Sequence, residues 1–91
     1  MRLTHDESDY QKNLLVHGIL LTLADHIQWD ALVVLDDTRQ PYDETRKIGY
    51  APVDQRLYCV VFVDREESRH IISLRRANSR EVARYEQSQT D

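Results

Sequence analysis

The chain of 91 residues has room for one domain with one modest hydrophobic core, so we expect a single domain over residues 1–91. Its composition, with 41% hydrophobic and 31% charged residues but two glycines and two prolines, excludes a disordered or fibrous protein. The net charge of −4 argues against a nucleic-acid partner, but residues 69–85 hold five arginines against one acidic residue, whereas residues 1–54 hold five basic and ten acidic ones.

Apolar segments are short. The longest, Leu57–Val63, falls well below the roughly 20 residues of a membrane-spanning helix, and no basic segment leads into an apolar stretch near Met1. The one cysteine, Cys59, has no partner for an intrachain disulfide and is expected to be a buried thiol. These features favour a cytoplasmic protein without a membrane anchor.

The N-terminal part predicts helices. Apolar residues recur at helical spacing over Asp6–Val16, acidic residues crowd its start, and Gly18 is a natural end. A shorter helix is predicted over Thr22–Gln28. Residues Arg2–Thr4 could add a short strand.

Strands are predicted next, at Asp30–Leu35, Thr45–Ala51, Leu57–Val63 and Arg69–Leu74. The last two should form an antiparallel hairpin. Strict alternation along the last strand predicts that Arg69 and Arg75 share one face, about 20 Å apart.

A second amphipathic helix is predicted at the C-terminus. Asn78 followed by Glu81 is the pattern of a capping box, in which each side chain bonds the backbone amide of the other residue. Val82 and Tyr85 would face the sheet. The predicted fold class is therefore α+β, with N-terminal helices packed on a four-stranded antiparallel sheet and a C-terminal helix.

The sequence offers little for metal or cofactor chemistry. The four histidines show no ligand spacing such as HxxxH, and the chain has neither a glycine-rich phosphate loop nor the context of a nucleophile elbow. We therefore predict no metal site and no cofactor.

The arginine series of the C-terminal third is the remaining feature, and its members are Arg69, Arg75, Arg76, Arg80 and Arg84. Planar guanidinium groups donate paired hydrogen bonds and keep their charge, so a phosphodiester is the obvious ligand. In an arbitrary protein, however, such a series is more often a solvated surface paired with glutamates.

RNA cleavage without a metal requires activation of the 2′-hydroxyl, stabilisation of the phosphorane and protonation of the leaving oxygen. Glu44, His17 and Tyr85 could move protons. Each has an alternative: Glu44 could pair with Arg46, His17 could cap a helix, and Tyr85 could anchor the core. Spacing alone does not choose between these roles.

Three stretches carry a family resemblance. Tyr10–Gly18 contains Lys-Asn-Leu followed by His-Gly, Asp36–Arg46 contains Asp-Thr-Arg before Tyr-Asp-Glu-Thr-Arg, and Ile71–Glu86 contains Ile-Ile-Ser-x-Arg-x-Ala and Arg-Glu-x-x-x-Tyr-Glu. In this order they resemble the BrnT toxins of bacterial type II toxin–antitoxin systems.

The resemblance implies a RelE-like ribonuclease that inhibits translation and is neutralised by a BrnA-type antitoxin, through which the complex would bind operator DNA. Carried over by position, the expected catalytic residues are Glu44, Arg65, Arg75, Arg80 and Arg84. Lys12, His17 and Tyr85, together with Arg69 of the arginine series, are expected to bind RNA.

Two other functions fit the same residues. A non-catalytic module of a toxin–antitoxin-like complex would bind through the basic face and regulate transcription without turnover. A toxin of the same fold could also act on another target, such as DNA gyrase.

Overall fold

A computed structural model describes residues 2–36 and 45–89. Its helices are α1 (Glu7–His17), two short 3₁₀ helices (Leu21–His26 and Trp29–Ala31) and α2 (Ser79–Gln89). Its strands are β1 (Arg2–Thr4), β2 (Val33–Asp36), β3 (Lys47–Val53), β4 (Arg56–Asp64) and β5 (Ser68–Arg76). The α+β class is confirmed, while the helix predicted over Thr22–Gln28 is the first 3₁₀ helix, and the second 3₁₀ helix occupies the start of the strand predicted over Asp30–Leu35.

Within residues 2–36 and 45–89, the sheet has five strands in the order β1-β5-β4-β3-β2. β1 runs parallel to β5, with Thr4 opposite His70, and the other three pairings are antiparallel. The predicted four-stranded antiparallel sheet is therefore wrong by one strand. The reason is that β5 offers a second edge beside Ser68–His70, to which the N-terminal residues bond.

A β-bulge in β5 overturns the predicted common face of Arg69 and Arg75. Val61 pairs with Ser73 and Phe62 with Ile71, so Ile72 has no partner in β4. One extra residue inverts the alternation of side chains beyond it. Arg69 consequently lies on the opposite face of the sheet from Arg75.

The hydrophobic core lies on one face of the sheet, beneath the first 3₁₀ helix. Its fully buried members include Leu21 and Ala24 from that helix and Phe62, Ile71 and Leu74 from the central strands. Gly49 allows close packing here, because a Cβ at this position would lie 2.5 Å from Cδ1 of Leu32, and that side chain would have to move. Cys59 is buried, as predicted.

The C-terminal helix begins with the predicted capping box. The Glu81 amide donates to Asn78 Oδ1 at 2.9 Å, and the Asn78 amide donates to Glu81 Oε1 at 2.9 Å. Further along, the Tyr85 hydroxyl donates to the carbonyl oxygen of Ala31 at 2.7 Å and ties α2 to the second 3₁₀ helix. Over residues 2–36 and 45–89, every helix is too short or too polar to span a bilayer.

Candidate nucleic-acid interface

An open groove of about 360 Å³ lies between α1 and the face of the sheet opposite the core. We call it the α1 groove, and its lining residues are Asp9, Lys12, Asn13, Val16, His17, Arg46, Val61, Ile72 and Ser73. Lys12 and His17, which the sequence predicted to bind RNA, lie here together with Arg46. The groove therefore collects two permanent cations and an imidazole from separate parts of the chain.

Asn13 fixes the helix that forms one wall of the groove. Its side chain donates to the carbonyl oxygen of Leu74 at 2.9 Å and accepts from the Leu74 amide at 2.9 Å, and it also donates to the carbonyl oxygen of Ile19 at 2.8 Å. Since β1 pairs only as far as His70, the amide takes the place of a strand residue along the next part of the β5 edge. The neighbouring side chain of Lys12 is thereby held beside the sheet.

The His17 side chain is exposed, and it makes no hydrogen bond to another described residue. The end of α1 is closed instead by Gly18, whose φ of 70° is left-handed and whose amide donates to the carbonyl oxygen of Leu14 at 2.9 Å. The sequence left open whether His17 caps this helix, and the cap is instead made by the backbone of Gly18.

A buried carboxylate orients Arg75 beside the groove. Arg75 Nη1 donates to Glu81 Oε1 and Nη2 to Glu81 Oε2, both at 2.8 Å, and the Tyr50 hydroxyl donates to Oε2 at 3.0 Å. Glu81 is 8% exposed. Ser73 lies two residues from Arg75 on the same face, about 7 Å along the strand.

This network shifts the pKa of each member. The hydrogen bond from Arg75 lowers the pKa of Glu81 to about 2, despite the opposing effect of burial. The same bond raises the pKa of Arg75, which stays charged. Burial is the largest cause that raises the pKa of Tyr50 to about 12, so its hydroxyl remains a donor at neutral pH.

Arg69 lies outside the α1 groove. Its Cζ lies 4.4 Å from the centre of the Phe62 ring and 4.9 Å from that of Trp29, and its Nη2 donates to Asp64 Oδ2 at 3.1 Å. The hydrogen bond from Arg69 lowers the pKa of Asp64. The side chain of Arg69 is 16% exposed and is held by these packing and ionic contacts.

The other expected site residues are spread over the molecule. Arg65 lies in the exposed turn between β4 and β5, about 20 Å along the strand direction from Arg75. Arg80 and Arg84 are exposed on α2, and Tyr85 is half-buried against the second 3₁₀ helix. Glu44 lies outside the described residues.

Sequence reasoning missed two contributors to this face. The sequence predicted Arg46 only as an ion-pair partner of Glu44 and predicted no role for Tyr50. The signal for Arg46 was the doublet Arg46-Lys47 at the entry to a predicted strand, since a cation at a strand end stands at the rim of a sheet face. No local signal identifies Tyr50, because its partner Glu81 lies 31 residues away.

A family model for the ribonuclease toxin BrnT of type II toxin–antitoxin systems matches residues 5–81. The chain belongs to the BrnT family. The match covers both walls of the α1 groove and extends to Glu81, the carboxylate that orients Arg75. It confirms the family resemblance read from the three sequence stretches. A comparison with curated proteins gives no match.

Family membership makes this chain a BrnT toxin with a protein antitoxin as partner. Among the expected site residues, Arg84 and Tyr85 lie beyond the end of the match. The matched range does include four residues on the face of the sheet that carries the groove, namely Lys12, His17, Arg46 and Arg75.

Proposed function

We propose that this BrnT toxin is a cytoplasmic endoribonuclease that blocks translation by cutting RNA, with the scissile phosphate bound in the α1 groove. The observation that carries the proposal is the convergence of Lys12, His17 and Arg46 on one open groove. An RNA backbone presents a line of phosphates, and a groove bordered by cations attracts it in a salt-dependent way. The reaction uses no metal ion.

Each groove residue has a defined part in the cleavage. The 2′-oxygen attacks phosphorus as its proton leaves, the P–O5′ bond breaks, and a proton is delivered to the leaving 5′-oxygen. His17 moves protons, because its imidazole faces the groove without another bonding partner among the described residues. Lys12 and Arg46 stabilise the negative charge that grows on the phosphorane oxygens.

The arginines outside the groove bind flanking parts of the RNA. Arg75, fixed by Glu81, contacts the phosphate next to the scissile one. Arg80 and Arg84 are exposed on α2 and contribute long-range attraction. Arg65 extends this field at the far end of β5, and Glu44 remains a second proton-transfer residue proposed from the sequence and the resemblance.

The antitoxin, of the BrnA type, covers an apolar surface beside the groove. We define the α1 apolar patch as Leu14, Leu15, Val16 and Leu20, of which Leu15 is 87% and Val16 61% exposed. Val16 also lines the α1 groove, so a protein seated on the patch would block access of RNA. Operator DNA would be bound by the antitoxin of the complex.

The test is cleavage of a labelled single-stranded RNA by the purified toxin in EDTA. We expect the wild type to cut, and His17→Ala to lower kcat by about 10² to 10⁴. His26→Ala is the matched control, because His26 is also exposed but lies outside the α1 groove.

Two outcomes contradict the proposal. If the His17→Ala variant has the wild-type kcat, His17 does not transfer a proton in the reaction. RNA binding that weakens with salt but never leads to cleavage, even in the wild type, supports the non-catalytic binding module instead.

A further inference from the structure

A second cluster of polar side chains joins the start of α1 to β5. Ligand atoms of Asp6, Asp9 and His70 all lie within 4.8 Å of one another. Asp6 immediately precedes α1, Asp9 lies in its first turn, and His70 lies in β5 opposite Thr4 of β1. The start of α1 and β5 therefore meet at one group of nitrogen and oxygen atoms.

His70 carries the independent sign that this cluster takes a ligand. The residue is only 6% exposed, and its Nδ1 is hydrogen bonded to Thr4 Oγ1 at 2.8 Å. Its Nε2 makes no hydrogen bond to another described residue and points at Asp6, with 3.4 Å to Oδ2. When Nδ1 donates to the threonine hydroxyl, Nε2 presents a lone pair to the carboxylates, which is the arrangement of a metal-binding histidine.

We propose that Asp6, Asp9 and His70 bind one divalent transition-metal ion of the zinc type. One imidazole nitrogen and two carboxylate oxygens form a ligand set that zinc accepts, with water in the fourth position. Tetrahedral bonds of about 2.0–2.1 Å bring ligand atoms to about 3.4 Å from one another. Small rotations of the exposed Asp6 and half-buried Asp9 side chains from the present spacing are sufficient.

The ion fastens α1 to the sheet and has no part in bond cleavage. Asp9 is common to the ion site and to the α1 groove, so the ion fixes the helix that carries Lys12 and His17. The sequence predicted no metal site, because the ligands are separated by more than 60 residues along the chain. Thr4 is a positioning residue that holds the ring of His70 through the hydrogen bond to Nδ1.

The competing state without metal is a protonated His70 paired with Asp6. Both states hold the same residues together, so stability measurements on variants alone would not separate them. Direct titration with an ion does separate them, and it is independent of ribonuclease activity. Failure of the ion site would therefore leave the proposed function untouched.

The experiment is calorimetric titration of tag-free, metal-stripped toxin with Zn²⁺. We expect one ion per chain, and at least a tenfold weaker affinity for Asp6→Asn and for Asp9→Asn. Asp6 makes no side-chain capping bond and asparagine is a good N-cap, so the first variant should fold. Asp25→Asn, at an exposed carboxylate outside the cluster, should retain wild-type affinity.

Location is checked by NMR with paramagnetic Co²⁺, which should broaden the amide signals around His70 and Thr4 before those around Asp25. Thr4→Val, which removes the hydrogen bond to Nδ1, should weaken Zn²⁺ binding by about tenfold or more. Absence of binding up to millimolar Zn²⁺, or a loss of less than tenfold in Asp6→Asn or Asp9→Asn, overturns the proposal.

Discussion

Arg75 and Glu81 form a two-point ion pair in which each Nη of the guanidinium donates to one carboxylate oxygen at 2.8 Å. Glu81 is at the same time the glutamate of the capping box that starts α2. One side chain thus caps a helix and orients the arginine at the end of β5. The start of α2 and the direction of Arg75 are therefore energetically coupled.

Glu81→Gln should destabilise the protein by about 1–3 kcal/mol, because a neutral amide cannot accept two charge-assisted hydrogen bonds. Urea unfolding measures this free energy. Glu86→Gln on the same helix is the control and should change it by less than about 0.5 kcal/mol, since Glu86 is exposed. If the two substitutions change the free energy of unfolding equally, the ion pair between Arg75 and Glu81 does not stabilise the protein.

Stability should fall as the solution is acidified below pH 4.5. The pKa of Glu81 is about 2 in the folded protein against 4.5 for the free side chain, so the unfolded chain binds a proton first as the pH falls. The stabilisation is fully present above pH 4.5 and disappears toward pH 2, and it amounts to about 3 kcal/mol at most.

Urea unfolding at a series of pH values measures this loss, and Glu81→Gln should have the shallower slope. Its slope should not vanish, because Arg69 also lowers the pKa of Asp64 in the folded state. The assignment fails if wild type and Glu81→Gln lose stability in parallel between pH 4.5 and 2.

Local patterns in the sequence predicted the elements whose causes are local. The capping box of Asn78 and Glu81 needs only three residues of chain, and the end of α1 needs only Gly18. The bulge at Ile72 escaped prediction, because it depends on how β5 pairs with β4. Strict alternation therefore misplaced Arg69, although its position in a strand was right.

The candidate site was predicted only in part, because it depends on contacts between residues that are distant in the sequence. Lys12 and His17 were expected to bind RNA and do line one groove, but only the resemblance indicated Lys12, and no sequence pattern joins either residue to Arg46. Asn13 carries no sequence signal of its role, because a polar residue on a helix ordinarily faces solvent. Its partner, Leu74, lies 61 residues away on the sheet edge.

Asn13→Ala should destabilise the protein by about 2–3 kcal/mol, since it leaves the buried amide and carbonyl of Leu74 without partners. Asn13 is 3% exposed, so water cannot easily replace it. Hydrogen exchange at the Leu74 amide should accelerate more than global unfolding accounts for.

Gln11→Ala is the matched control for Asn13→Ala. Among the described residues, Gln11 bonds Glu7 alone, on the exposed side of α1, so its loss should change stability by less than about 0.5 kcal/mol. Unchanged protection of the Leu74 amide in Asn13→Ala would show that the edge contact is not maintained in solution.

Arg69→Ala should reduce stability by about 1–2 kcal/mol while leaving RNA cleavage intact. The guanidinium lies over Phe62 and Trp29 and pairs with Asp64, and these contacts account for the loss. Because Arg69 lies on the opposite face from the α1 groove, kcat/KM of folded protein should stay within about twofold of the wild type.

Cleavage assays at a temperature well below the melting point of the Arg69→Ala variant measure this. Lys12→Ala, assayed beside it, should show the reverse pattern of normal stability and reduced kcat/KM, since Lys12 is exposed and lines the groove. A large loss of kcat/KM in folded Arg69→Ala would return this residue to the RNA-binding surface that the sequence predicted.

Leu15→Ser should weaken binding of the antitoxin at least tenfold, which corresponds to about 1.4 kcal/mol. Leu15 is 87% exposed, so the substitution removes apolar contact area from the interface without opening the core.

Val34→Ser is the matched control, because Val34 is an exposed apolar residue of β2 outside the α1 apolar patch. Calorimetric titration of each toxin variant with the antitoxin gives both affinities. If both substitutions weaken binding equally, the antitoxin contacts apolar surface without preference for the patch. If only Leu15→Ser weakens binding, the antitoxin lies beside the α1 groove and blocks RNA by steric exclusion.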